Sequence, residues 1–145
     1  MAHISKAYSK ILVILLTWLG FSCDQWGKDK YGTPSATYKA KGVVVSQTDD
    51  APIEGIRAVL KNQPDATWGM DTVFTDSKGV FKVKGHVEFE NMLYVELADV
   101  DGAINGLFND TTVIADFSHV NFKGDDWYSG EVEKDLGIVK MEPKE

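Results

Sequence analysis

The chain has 145 residues, 43% hydrophobic and 26% charged, a balance that fits one folded domain and argues against an intrinsically disordered segment. The formal net charge is −7; the residues before Cys23 supply two lysines and no acid, so the remainder stands at −9 and would repel nucleic-acid phosphates. A single cysteine excludes an internal disulfide, so its role must be sought elsewhere.

The first element in chain order is a targeting segment. Lys6 and Lys10 form a basic start, and Ile11 to Leu19 is an apolar run interrupted only by Thr17. That run is far shorter than the ~20 residues a spanning helix needs. Residues 1–22 therefore read as a signal peptide. Leu19-Gly20-Phe21-Ser22-Cys23 resembles a lipobox, in which a small residue precedes the cysteine that receives lipid; Phe21 stands where a small residue is usual. Two other readings stay open, a plain secretory signal with a cysteine nearby and an uncleaved anchor helix. Lipidation of Cys23 would anchor the chain firmly, because several acyl chains act together and each buried CH₂ adds about 0.8 kcal/mol. Residues 23–35 are polar, contain Gly27 and Gly32, and read as a tether.

Residues 36–145 read as strands. Tyr38, Ala40 and Gly42 alternate with Lys39 and Lys41 before Val43-Val44-Val45, which predicts a half-buried strand. Ile56 to Leu60 follows, with Ile56, Ala58 and Leu60 on one face and Arg57 and Val59 on the other. Thr72 to Thr75 is short, and Asp76-Ser77-Lys78-Gly79 supplies a turn. Val80 to Lys84 and Met92 to Leu97 alternate, placing Phe81, Val83, Leu93, Val95 and Leu97 inward. After a Gly/Asn/Asp-rich loop from Asp99 to Asp110, four more strands are expected at Thr111 to Phe117, Val120 to Phe122, Glu131 to Glu133 and Gly137 to Met141. No window beyond residue 30 has helical periodicity. The fold class expected is all-β, an antiparallel sandwich of about seven strands.

The stretch Lys41-Gly42-Val43-Val44, then Pro52-Ile53-Glu54-Gly55, then Thr75-Asp76-Ser77-Lys78-Gly79-Val80-Phe81 resembles the carboxypeptidase regulatory-like domain, and this resemblance implies a transthyretin-like sandwich. Over most of the chain the sequence also resembles the radical-SAM-associated lipoproteins of Bacteroidota. Tyr31-Gly32-Thr33-Pro34, Ala36 to Gly42, Asp99-Val100-Asp101-Gly102 with Asn105-Gly106, and Trp127-Tyr128-Ser129-Gly130 carry that likeness. It implies envelope anchoring and a neighbouring radical-SAM gene whose product is a candidate partner. It implies no activity.

Nothing in the chain spells out catalysis. His86 and His119 sit in no recognisable motif, and no ligand pair has zinc-type spacing. Asp99, Asp101 and Asn105, with Gly102 between, resemble part of a calcium loop, but Leu97 and Phe108 occupy the first and last ligand positions. The expectation is therefore that the loop needs no metal. Trp68, Trp127 and Tyr128 lie in Gly/Asp-rich contexts and are candidates for stacking on a sugar, or else they plug the sandwich ends. Asp71-Thr72-Val73 and Asp110-Thr111-Thr112 resemble a three-residue acceptor for O-linked glycan.

These readings converge on a lipid-anchored envelope protein held by palmitate-type chains on Cys23, with the outer membrane the favoured destination. Its domain is expected to be a non-catalytic interaction or accessory module that needs no cofactor and binds no nucleic acid. The alternative is a glycan-binding surface lipoprotein that uses Trp68, Trp127 and Tyr128.

Overall fold

The computed structural model describes residues 35–126 and 129–145. The signal peptide 1–22, Cys23, the tether before Ser35, and Trp127 with Tyr128 lie outside the described residues.

Eight strands follow in chain order: β1 Ser35–Ser46, β2 Ile56–Lys61, β3 Asp71–Phe74, β4 Val80–Glu88, β5 Met92–Asp99, β6 Thr111–Asp116, β7 Lys123–Asp126 and β8 Ser129–Met141. They form two four-stranded sheets, ordered β4-β1-β8-β7 and β3-β2-β5-β6. The protein is the all-β sandwich expected. Its ladders are antiparallel except for β1 and β8, which run parallel.

The core lies between the sheets and follows the two-residue period. Ala36, Tyr38, Ala40 and Val44 of β1 are buried, as are Ile56, Ala58 and Leu60 of β2, Phe81 and Val83 of β4, and Leu93, Val95 and Leu97 of β5. Small residues on β1 make room for large ones opposite. Gly42 pairs with Phe81, and a methyl group on Gly42 would lie 3.0 Å from that ring. Tyr38 is fully buried, with its ring edge-on to Phe117 at 4.9 Å and to Phe122 at 5.7 Å.

The turns expected from sequence carry defined bonds. Asp76 Oδ1 accepts from the N–H groups of Lys78 and Val80, both at 2.9 Å, and fixes the turn that carries the chain from β3 in one sheet to β4 in the other. Thr75 is buried: its hydroxyl donates to Ile53 O at 2.7 Å and accepts from Ile56 N at 2.9 Å. The Pro52-Ile53-Glu54-Gly55 turn and the Thr75-to-Phe81 turn are thus stitched to each other, which is a structural reason for those residue types.

Two strand expectations differ from the structure. Val120 to Phe122 forms no ladder; Val120 N donates to Phe117 O in a turn, and Phe122 spends its ring on Tyr38 and Phe89. Glu131 to Glu133 and Gly137 to Met141 belong to one strand, β8. Between Lys41↔Asp135 and Val43↔Ile138 the register gains a residue on β8, so Leu136 and Gly137 bulge out opposite Gly42, with Gly137 at φ 68°.

The outer face of the first sheet is a charge ladder. Lys39 faces Lys84 and Lys41 faces Lys82 across β1 and β4, a like-charge arrangement that would be unfavourable by itself. Strand β8 supplies the acids: Lys39–Glu131 at 2.5 Å, Lys41–Glu133 at 2.8 Å and Lys82–Glu133 at 2.6 Å. Hydrogen bonds from Lys41 and then Lys82 hold the Glu133 carboxyl down to about 2, and the same partner raises Lys41. A depressed acid contributes stability above its ordinary value of about 4.3, and that contribution is lost as pH falls through the folded value. Water and salt screen this exposed cluster, so titration reads it better than unfolding does. Carbon-detected NMR should place the Glu133 titration near 2 at low ionic strength. In Lys41→Met it should climb toward the ordinary range of about 4.3. A Glu133 midpoint already in the ordinary range in the wild-type protein would contradict the ladder.

Candidate functional site

A nucleophile–base pair is the first thing to look for. His86 in β4 projects from the exposed face, with Nε2 at 2.9 Å from Ser35 Oγ and Nδ1 at 3.2 Å from Thr37 Oγ1. The position that an orienting carboxylate would take is filled by a threonine hydroxyl. His119 follows β6 in a turn beside Asp116, whose carboxyl is lowered mainly by hydrogen bonds from Ser118. The two histidines lie on different elements and do not share a site.

The loop after β5 has a structural arrangement. Asp99 Oδ2 accepts from Phe108 N at 2.9 Å, pulling Phe108 over the end of the core, where it also bridges to Pro143. Asn105 Nδ2 donates to Asp101 Oδ2 at 2.9 Å and to Glu54 O at 3.3 Å. Asp101 and Asn105 thereby tie the loop to the Glu54-Gly55 turn. Among the described residues no three histidine, cysteine or acidic side chains group as a metal site would require.

Trp68 is 86% exposed, so it plugs no end of the sandwich. It sits in the β2–β3 connection, residues 62–70, which folds back over the outer face of the second sheet. Met70 N donates to Leu60 O at 2.7 Å and anchors the connection's end. Gly69 lies directly over Val59: a methyl group there would come within 2.1 Å of Val59 Cγ1. This cover is why Val59, on the outward face of β2, is buried.

Beneath the connection lies a groove of about 230 Å³, lined by Arg57, Lys61, Thr67, Gly69, Thr72 and Glu96. Register explains the grouping. Arg57, Val59 and Lys61 alternate outward on β2, Glu96 pairs with Val59 from β5, and Thr72 pairs with it from β3. Lys61 Nζ stands 2.5 Å from Glu96 Oε2, whereas Arg57 Nη2 is 3.7 Å from Oε1, too far for a hydrogen bond. Arg57 Nε is enclosed and has no acceptor among the described residues.

No family model and no curated protein matches the chain. Among solved structures it is similar to the group B streptococcus pilus 2b backbone protein, at 17% identity and TM-score 0.42, over 72% of this chain and 40% of that one. It is similar to chlorocatechol 1,2-dioxygenase from Pseudomonas putida at 12% identity and TM-score 0.45, over 77% and 62%. The C-terminal domain of shaft pilin spaA from Lactobacillus rhamnosus GG matches at 13% identity and TM-score 0.37, over 74% and 98%. The chain spans less than half the length of the pilus backbone protein. Likenesses this distant carry no functional argument.

Of the residues singled out from sequence, the structure links Asp99, Asp101 and Asn105 within the 99–108 segment and exposes Trp68 in the β2–β3 connection, whereas Trp127 and Tyr128 lie outside the described residues. Arg57, Lys61, Thr67 and Glu96 were missed as a group. The sequence carries little signal for it: Val59 is apolar between Arg57 and Lys61 on the solvent side of its strand, but single apolar surface residues are common.

Proposed function

We propose that this chain is a membrane-anchored envelope lipoprotein whose sandwich is a non-catalytic interaction or accessory module. The observation that carries the anchoring is the placement of the one cysteine, directly behind a basic start and a short apolar run. The module part draws support from the Ser35–His86 pair, whose second imidazole nitrogen meets the Thr37 hydroxyl rather than a carboxylate, and from the placement of His119 on a different element. A partnership with a co-encoded radical-SAM enzyme, and an outer-membrane destination, come from the family resemblance and are association rather than mechanism.

Cys23→Ala should lose label from a palmitate analogue and move the protein from the membrane fraction to the soluble fraction. If the variant stays membrane-bound at wild-type levels, an uncleaved helix anchors the chain and the lipoprotein reading fails. Capture of the tagged protein from its own cells, with mass spectrometry, then identifies what the module binds.

A second reading, glycan binding, is favoured by Trp68, an exposed indole in the connection whose neighbouring residues Thr67 and Gly69 line a polar groove.

A further inference from the structure

We propose that the groove between the 62–70 connection and the outer faces of β2 and β5 binds a carboxylate-bearing sugar ring, a uronic acid. This rests on the glycan-binding reading and adds the charge of the ligand to it.

The charge follows from the pairing inside the groove. Its lining holds two cations, Arg57 and Lys61, and one acid, Glu96. Lys61 already neutralises Glu96 at 2.5 Å. The guanidinium of Arg57 is left half-buried, with its nearest acid oxygen at 3.7 Å and Nε without an acceptor. A guanidinium is a planar set of donors with no acceptor capacity, and it matches a carboxylate in two parallel hydrogen bonds. On a protein whose formal net charge is −7, a groove with a surplus positive charge stands apart from the general surface.

The sugar follows from the rest of the lining. Thr67 and Thr72 offer hydroxyls that both donate and accept, which suits ring hydroxyls better than a bare ion. The volume of about 230 Å³ suits a single small ring rather than a helix or a strand. Thr67 and Gly69 both line the groove, and Trp68, the residue between them in sequence, is 86% exposed and outside the lining, so its ring is available to a ligand that extends beyond the groove. An apolar ring face beside polar donors is the pairing that a sugar, with apolar C–H faces and polar edges, can satisfy.

The test is calorimetric titration of the detergent-solubilised full chain with glucuronate, glucose and acetate. Glucuronate should bind with Kd on the order of 1 mM and at least about tenfold more tightly than glucose or acetate. Arg57→Gln should abolish the advantage over glucose, and Trp68→Ala the advantage over acetate, with both variants unfolding within a few degrees of wild type. Equal binding of glucose and glucuronate, unchanged in Arg57→Gln, would overturn the acidic-sugar inference and leave the glycan reading standing. Equal binding of acetate and glucuronate would mean an anion site only and would sink both. Absence of binding by all three probes would also overturn the proposal.

Discussion

Tyr38→Ala should lower the unfolding free energy by about 3–5 kcal/mol, as expected for removal of a large aromatic side chain from a packed core. Tyr38 lies in β1, the strand flanked by β4 on one side and β8 on the other, so a void there loosens two ladders. Its ring is the meeting point of Phe117 and Phe122, and Phe122 in turn contacts Phe89 at 5.1 Å. Loss of the ring should therefore release the 117–122 connection. The hydroxyl has its own share: Glu90 N donates to it at 2.7 Å. Tyr38→Phe keeps the ring and should cost only about 0.5–1.5 kcal/mol.

The same hydroxyl gives an alkaline signature. Burial pushes its pKa above the ordinary value of about 10, with the hydrogen bond from Glu90 N acting in the opposite direction and the Glu90 charge adding to the rise. A raised folded pKa means that the contribution is intact below pH about 10 and is lost as pH climbs through the folded value. Wild-type stability should fall in that range more steeply than that of Tyr38→Phe. Urea unfolding followed by near-UV circular dichroism measures all three proteins. A loss for Tyr38→Ala well under 2 kcal/mol would mean that the aromatic cluster is not a core.

How much of this was legible in the sequence depends on how local each feature is. The alternation of Ala36, Tyr38 and Ala40 with lysines and threonine announces β1 because period two is written residue by residue. The Asp76-to-Gly79 turn is equally local. The parallel pairing of β1 with β8 is not, since Ser35 meets Ser129 across nearly the whole domain and no short window encodes that. Strand β8 reads as two pieces, Glu131 to Glu133 and Gly137 to Met141; in the fold the extra residue at Leu136-Gly137 is a bulge that keeps both halves on one ladder. Phe122 has strand-type chemistry but lies outside any ladder, partly exposed, with its ring edge-on to Tyr38 and Phe89. The groove was illegible for another reason. Arg57 and Lys61 look like an ordinary solvated edge until the 62–70 connection is known to cross above them.

Gly79→Ala should destabilise the domain by about 3–4 kcal/mol, near the top of the range for single substitutions. Gly79 ends the turn at φ 72°, where an L-residue other than glycine costs about 1–2 kcal/mol. Space adds the rest. A methyl group at Gly79 would sit 2.3 Å from Val44 O, a backbone atom that cannot swing aside like a side-chain tip. Val44 O accepts from Ile53 N at 3.0 Å, and Val44 N donates to Gly79 O at 2.8 Å. Moving β1 away from the turn, or the turn away from β1, would break the second bond. At least one buried backbone hydrogen bond is therefore lost with the clash, at about 1–3 kcal/mol. Gly102→Ala is the matched control. Gly102 has nearly the same dihedral, φ 71°, but nothing lies within 4 Å of the added methyl group. It should show the backbone cost alone, about 1–2 kcal/mol. Equal losses for the two variants in urea unfolding would mean that the turn at Gly79 relaxes freely and is not wedged against β1.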